Sequence, residues 1–191
     1  EQYLTFEHDE FTMKPTLDGN GRLVLRDDYR ISSLNCGGED FAIACMRSNL
    51  KYGKNQKRED VKSHHYIISF DTRDAQDNGL TVDRAQELGE QFCKEHFPGH
   101  QALVCTHPDG HNHSGNIHVH IVINSLRIAE VPLLPYMERP ADTREGCKHR
   151  CTDAAMEYFK AEVMEMCHRE NLYQIDLLHG SKNRITEREY W

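Results

Sequence analysis

Histidine is concentrated in one short segment of the chain. Of the 13 histidines among 191 residues, five fall between His107 and His120. Alternate side chains of an extended strand share a face, so His118 and His120 point to one side and the isoleucine and valine residues around them point to the other. Two imidazoles about 6–7 Å apart at their Cα atoms can converge on one ligand. The pattern predicts a metal or phosphate site.

A third histidine is predicted to join this pair. His107 ends the preceding predicted strand, and a glycine-containing loop would return it beside His118 and His120. Three imidazoles with open coordination positions suit a catalytic divalent ion. Asp109 could accept the free ring N–H of one ligand and so hold its tautomer. For the remaining two histidines of the segment, a flexible loop and metal ligation both remain open: His111 and His113.

Positive charge is concentrated in a second segment. The net charge of −8 argues weakly against a nucleic-acid-binding protein. Residues 47–58 reverse this balance, because they contain no acidic residue and five basic ones: Arg47, Lys51, Lys54, Lys57 and Arg58. The segment is a candidate phosphate-binding patch, although a solvated helix end and loop would have the same composition.

Hydrophobic periodicity and turn residues predict the elements that position these side chains. Strands are predicted at 22–26, 64–71, 102–106 and 117–124, and helices at 40–51, 81–97 and 152–171, with a surface excursion at 131–146. The apolar positions of the first helix are Phe41, Ile43, Met46 and Leu50. This order predicts an α/β fold of the α+β sandwich type, in which helices flank a central, mostly antiparallel sheet. The strand carrying His118 and His120 is expected in its middle.

Length and composition limit the class of protein. The length fits one domain, residues 1–191, which we expect to be an excised N-terminal part of a longer protein. No apolar run approaches the roughly 18 residues of a membrane helix, and no secretory leader is visible. Seven scattered cysteines, an odd number, favour reduced thiols. We therefore expect a cytoplasmic protein without a membrane partner.

Three segments together resemble a known family. Residues 107–124 read His-x-Asp, a loop, and then His-hydrophobic-His followed by three hydrophobic residues and Asn, which resembles the third motif of conjugative relaxases. These are mobilisation nucleases of the HUH superfamily, and the likeness is to the VirD2-like, MOBP-type class of Firmicutes plasmids and integrative elements. Residues 63–70, which close on a Ser-Phe pair, are similar to the second motif. Tyr3-Leu with the later Asn35-Cys36 resembles the first, and residues 185–191 resemble the tail of such relaxases.

The resemblance implies a reaction and assigns residues to it. A Mg²⁺ or Mn²⁺ ion held by three histidines would grip the scissile phosphate of single-stranded DNA at an origin of transfer. The implied ligands are His107, His118 and His120. Tyr3 would attack the phosphate and form a covalent 5′-phosphotyrosine, which preserves the bond energy for rejoining. Asp109, acting through His107, is the candidate that helps remove the phenol proton.

The resemblance also implies the partners. Ser69 and Asn124 would contact DNA, together with the basic segment at residues 47–58. The origin could include an adjacent hairpin. A relaxosome accessory protein and a type IV secretion coupling protein are further implied partners, and the setting would be the bacterial cytoplasm, with transfer of the protein to the recipient cell as an additional expectation.

Three alternatives remain open at this point. A histidine-triad nucleotide hydrolase or transferase uses a similar alternating motif, but its first histidine would fall at Asn116. A structural zinc module could draw on Cys147, His149, Cys151, Cys167 and His168, although free thiols fit the spacing better. A DNA-binding module of the same fold without catalytic activity would use the same basic segment.

Overall fold

A four-stranded antiparallel sheet forms the centre of the molecule. The structure is a computed structural model that describes residues 2–9, 12–110 and 114–179. The strands are β1 Arg30–Leu34, β2 Ser63–Ser69, β3 His100–His107 and β4 His118–Arg127, and their spatial order is β1-β3-β4-β2. All three pairings are antiparallel, so β4 lies inside the sheet and β2 at its edge. The predicted α+β architecture and the central place of β4 are confirmed.

Helices flank both faces of this sheet. They are α1 Gln2–Thr5, α2 Phe41–Lys51, α3 Asp74–Asp77, α4 Val82–His96 and α5 Asp153–Arg169, with a 3-10 helix at Pro140–Thr143. The hydroxyl of Thr81 accepts a hydrogen bond from the Arg84 amide and so begins α4, as its sequence predicts. Throughout the described part of the chain, every helix is too short or too polar to cross a membrane. Residues 111, 113 and 185–191, which entered the sequence predictions, lie outside the described residues.

One face of the sheet carries the main hydrophobic core. Val119, Ile121 and Ile123 of β4 are fully buried, as their alternation predicts. They form one cluster with apolar residues of α4 and α5, which include Leu88 and Phe159. Because alternate side chains of a strand point to opposite faces, the histidines of β4 lie on the face away from this core.

The opposite face is only partly covered. Leu4 of α1 packs there with Leu103 and Cys105 of β3, and Phe41 of α2 borders this small cluster. α2 packs against β3 and β4. This cover leaves a cleft at the end of the sheet where β3 finishes and β4 begins, and the histidines are among the residues that line it.

The orientation of α2 differs from the prediction. Its apolar residues Ile43, Met46 and Leu50 are 54%, 64% and 66% exposed, whereas Ala44 and Asn49 are buried. The reason is a polar contact beneath the helix. The amide of Asn55 donates to the Asn49 side-chain oxygen and is bonded to the Ser125 hydroxyl of β4. These bonds hold the small and polar side of the helix against the sheet.

The predicted strand at 22–26 is replaced by isolated bridges. Phe6 pairs with Leu25, and Leu17 pairs with Leu23. The backbone here bonds alternately to two neighbouring segments, because the Val24 amide donates to Thr16 and the Arg26 amide donates to Thr5. No long ladder forms, but the arrangement places Arg26 directly beside the end of α1.

We expect Gly89→Ala to destabilise the fold. A Cβ at this position of α4 would clash with Cγ1 of Val119 and lie 3.2 Å from Cγ1 of Val104. Overpacking of this kind costs about 1–3 kcal/mol, which exceeds the roughly 1 kcal/mol that alanine gains over glycine in a helix. Urea denaturation would measure the free energy of unfolding, with Glu87→Ala at an exposed position of α4 as the control. A stabilised Gly89→Ala variant would contradict this packing.

Candidate metal centre

Three imidazoles converge where β3 ends and β4 begins. His107 is the cross-strand partner of His118, and Cys105 is the partner of His120, so all three rings lie on one face of the sheet. One ring nitrogen from each of the three histidines lies within 4.8 Å of those of the other two. The alternation that placed His118 and His120 on one face, and the hairpin that returns His107, are therefore both present.

The outer nitrogen of each ring is held by a partner. His107 donates through Nε2 to the Leu4 carbonyl at 2.7 Å, and His118 donates through Nδ1 to the Asn116 carbonyl at 3.1 Å. The Nδ1 of His120 lies 2.8 Å from Nε2 of His65. Because carbonyl oxygens only accept, the first two bonds assign the tautomers. Such partners orient metal-ligating histidines and raise their basicity.

The inner nitrogens carry the lone pairs. Nδ1 of His107 faces Nε2 of His118 at 3.3 Å. Because each ring donates its proton through its other nitrogen, both of these nitrogens are acceptors. Their lone pairs repel each other unless a cation or a proton lies between them. Burial, followed by the charge of Arg26, lowers the pKa of His107 to about 4. Burial lowers the pKa of His118, and burial with the neighbouring imidazoles lowers that of His120 to about 2. The rings are therefore neutral near pH 7, as metal ligands must be, and the donor set fits a divalent metal ion.

Tyr3 lies at this centre. Its side chain is 42% exposed, and its ring centroid is 6.1 Å from that of His120 and 5.2 Å from that of His8. The hydrogen bond from His107 to Leu4 attaches the next residue of α1 directly to the metal site. The structure thus brings the predicted nucleophile and the predicted ligands together.

A cleft opens above the histidines and is mainly acidic. Tyr3, Arg26 and the three histidines line it, with carboxylates supplied by Glu7, Asp9, Asp27, Asp28 and Asp109. Five carboxylates against one arginine give the cleft a negative charge that disfavours a phosphate. A divalent cation on the three imidazoles would offset about half of this charge, directly beside the position a phosphate would take.

Asp109 does not contact His107 in the way that its expected role requires. Its carboxylate accepts a hydrogen bond from Arg26 at 3.2 Å, while both ring nitrogens of His107 are directed to other partners. The expected path for the phenol proton, from Tyr3 through His107 to Asp109, is therefore wrong. Asp109 instead forms an ion pair with Arg26. The physical reason is that the 22–26 segment brings a guanidinium within reach of the carboxylate.

The two predicted DNA contacts on the strands are placed differently. Ser69 is exposed, is the cross-strand partner of His118, and accepts a hydrogen bond from the Asn116 amide. Asn124 is fully buried and donates to the Gln101 side chain at 2.9 Å. A DNA contact by Asn124 disagrees with this burial, because its amide is used inside the protein.

The basic segment lies at the other end of the sheet. Arg47 and Lys51 belong to α2 and pair with Glu39 and Glu145. The other three basic side chains follow α2 in an exposed loop: Lys54, Lys57 and Arg58. This loop meets the start of β2, and the seven residues of β2 lead from it to the metal centre, a distance of about 20 Å at the rise of a strand.

Three functional candidates were missed from the sequence. His65 contacts His120, His8 lies beside Tyr3, and Arg26 contacts Asp109. A signal existed for His65, because it shares the parity of Ser69 in the same strand and therefore its face. His8 and Arg26 are placed by the irregular bridges between residues 6–8 and 15–25. Neither periodicity nor spacing indicates such bridges.

The zinc-module alternative receives no support from the geometry. Cys147, Cys151 and Cys167 are free thiols. His149 is buried, and its Nε2 is bonded to the Tyr66 hydroxyl at 2.8 Å. Across residues 2–9, 12–110 and 114–179, the three histidines of the cleft form the one group of suitable ligand atoms that could hold a metal ion.

We expect metal binding to depend on both the ligands and His65. Mn²⁺ is expected to raise the melting temperature of the wild-type protein, because a ligand that binds only the folded state stabilises it. His118→Ala is expected to abolish this rise. His65→Ala is expected to weaken Mn²⁺ binding about 10- to 100-fold, since it releases Nδ1 of His120.

Calorimetric titration with Mn²⁺ would measure these affinities. His168→Ala, on the exposed side of α5, is the matched histidine control and is expected to bind like wild type. Unchanged affinity in His65→Ala would show that the contact with His120 does not orient the ligand.

Comparison with known proteins assigns the family. The family described as relaxase, MobA/VirD2-like, nuclease domain matches residues 24–131, which include all four strands and the three histidines. Protein rlx of Staphylococcus aureus is 28% identical over 160 residues, which are 83% of this chain and 39% of rlx. The chain thus spans about two fifths of the length of this curated relative. Because the family match covers more than half of the chain, the protein belongs to the MobA/VirD2-like relaxase family and carries a relaxase nuclease domain.

Proposed function

We propose that this chain is a metal-dependent nuclease that nicks and rejoins one strand of DNA at an origin of transfer. The observation that carries the proposal is the direct hydrogen bond from His107 to the carbonyl of Leu4, the residue next to Tyr3. It fixes a solvent-accessible tyrosine beside a set of imidazoles that could hold a metal ion. A tyrosine beside a metal that binds phosphate suits transesterification. In this reaction the tyrosine oxygen replaces the 3′-oxygen on phosphorus.

In the proposed reaction, the phosphoryl group is transferred from the 3′-oxygen of the DNA to the Tyr3 oxygen. The Tyr3 oxygen forms a bond to phosphorus as the bond from phosphorus to the 3′-oxygen breaks, and the leaving oxygen takes a proton from water. The products are a 5′-phosphotyrosine and a free 3′-hydroxyl. Attack by a 3′-hydroxyl on the same phosphorus reverses these changes and rejoins the strand.

His8 is placed to accept the phenol proton. Its Nδ1 donates to the Phe6 carbonyl at 2.9 Å, so its Nε2 carries a lone pair. Its ring lies 5.2 Å from that of Tyr3, and catalytic hydrogen bonds commonly shorten when substrate binds. His8 thus takes the role that the sequence suggested for Asp109.

The ion is proposed to bind His107, His118 and His120. When bound, it would neutralise charge on the scissile phosphate and orient it for in-line attack. Of the two expected ions, Mn²⁺ fits three nitrogen ligands better than Mg²⁺, which prefers oxygen. His65, as the partner of His120, would hold the ligand set in place.

The proposed DNA path follows the open face of β2. Ser63, His65, Ile67 and Ser69 form an exposed row from the basic loop to the metal centre. Exposed Lys54, Lys57 and Arg58 would contact phosphates at the far end of this row. Ile67, which is 55% exposed beside His120, offers an apolar surface to an unpaired base.

The wider setting is also proposed. Residues 1–191 would act as a single nicking domain within a longer relaxase in the bacterial cytoplasm. Its partners would be single-stranded origin DNA with an adjacent hairpin, a relaxosome accessory protein and a type IV secretion coupling protein. Transfer into the recipient cell with the bound strand would follow from the covalent link.

Covalent capture tests the nicking function. The protein is incubated with a random single-stranded DNA pool and Mn²⁺ and denatured in detergent, and the attached DNA is sequenced. We expect an adduct with one enriched sequence that is lost in Tyr3→Phe and His118→Ala and forms more slowly in His8→Gln. His168→Ala is expected to form it like wild type.

Each other outcome of this capture has a distinct meaning. An adduct that persists in Tyr3→Phe would assign the nucleophile to another residue. Sequence-specific binding without any adduct, under Mn²⁺ or Mg²⁺, would overturn nicking in favour of the DNA-binding module without catalytic activity.

The basic loop predicts a salt dependence. Replacing Lys54, Lys57 and Arg58 together by glutamine is expected to reduce the slope of log affinity against log salt by about 2, since each phosphate contact on a single strand contributes about 0.7. Fluorescence anisotropy with the captured oligonucleotide would measure the slope. The control replaces Lys94, Lys160 and Arg169 on α4 and α5 in the same way, and an equal reduction there would contradict the proposed path.

A further inference from the structure

Arg26 holds an exceptional position in the cleft. Among the described residues that line it, Arg26 is the only one with a permanent positive charge. Its charge contributes to the lowered pKa values of His107, His118 and His120, which places it near all three rings. Lysine and arginine are abundant elsewhere on the chain, so a single guanidinium among five carboxylates at the metal centre needs an explanation.

The guanidinium is held in place from both ends. The backbone amide of Arg26 donates to the Thr5 carbonyl at the end of α1. At the other end of the side chain, Nη1 donates to the Asp109 carboxylate at 3.2 Å. The side chain is only 17% exposed, so it has little freedom to leave the cleft. It therefore bridges the elements that carry Tyr3 and the loop that follows His107.

One donor of this group has no partner among residues 2–9, 12–110 and 114–179. Nε of Arg26 is buried and makes no hydrogen bond. A buried donor without an acceptor destabilises the folded protein, and such a donor calls for an explanation, for example a ligand that completes the bond. An arginine presents its donors in a planar fork that matches the oxygens of a phosphate.

We propose that Arg26 is a catalytic residue that binds a non-bridging oxygen of the scissile phosphate, with Asp109 orienting its guanidinium. This inference rests on the proposed function, because it names a further contact of the same substrate. During attack by Tyr3, negative charge grows on the oxygens around phosphorus, and a fixed cation in a partly buried site stabilises that charge. No bond to Arg26 is made or broken, and its proton stays in place.

A substrate cycle tests this contact. The captured oligonucleotide is prepared with the scissile phosphate intact or replaced by each methylphosphonate isomer, in which one charged oxygen becomes a methyl group. Arg26→Gln is expected to slow nicking of the intact phosphate about 100- to 1,000-fold, but to slow one methylphosphonate isomer by less than about threefold. Arg22→Gln, an exposed arginine of the same segment, is the matched control.

The Asp109→Asn variant distinguishes two roles of Arg26: a contact with the phosphate, or a purely structural ion pair with Asp109. If Arg26 acts on phosphate, Asp109→Asn keeps the cation and loses less activity than Arg26→Gln. If Arg26 only anchors Asp109, the two variants lose equally, the double variant is no worse, and both methylphosphonates remain as sensitive as the phosphate. That result would overturn the proposal.

A direct measurement does not need nicking. The side-chain Nε–H signal of Arg26, assigned with Arg26→Lys, is followed by nitrogen NMR while inorganic phosphate is added in the presence of Mg²⁺. We expect a saturating shift of this signal and none at Arg22. If the wild type forms no covalent adduct at all, the nicking function fails, and this titration alone decides the phosphate site. A flat titration would then overturn the site as well.

Discussion

The hydrogen bond between the His107 imidazole and the Leu4 carbonyl joins the two halves of the site. It commits Nε2 of His107 as a donor, which directs the other nitrogen toward His118. It also anchors the short helix α1, which has only four residues and little intrinsic stability. A proposed metal ligand, His107, and the segment that carries the proposed nucleophile thus share one contact. Their separation is set by a buried bond of the fold and not by a mobile chain end.

Electrostatics explains why phosphate binding in this cleft would depend on cations. Its carboxylates repel phosphate, and its imidazoles are neutral because burial lowers their pKa values. A metal ion is the main source of positive charge that such a cleft can acquire. Arg26 supplies a smaller, permanent one, and its pairing with Asp109 stabilises the guanidinium in a partly buried place.

Strand alternation made the central part of the site predictable. Val119 and Ile121 are buried on one side of β4, and His118 and His120 lie on the other, because a strand offers only two faces. The same rule applied to β2 would have found His65 from Ser69. The helix α2 was harder to orient. Its Ile43, Met46 and Leu50 have the spacing of a buried stripe but are exposed. A polar contact between Asn49 and Asn55 directs the opposite side of the helix toward the sheet.

The sequence by itself determined the class of sheet, the boundaries of the main helices within a few residues, and the three histidines that could hold a metal. These features depend on local periodicity and on a motif within one hairpin. Only the tertiary structure decided which groups surround that motif. Arg26 and His8 are neighbours of the candidate metal centre through bridges between segments far apart in the chain, and the same arrangement pairs Arg26 with Asp109. Such contacts follow from packing in three dimensions, for which the spacing of residues along the chain carries no signal.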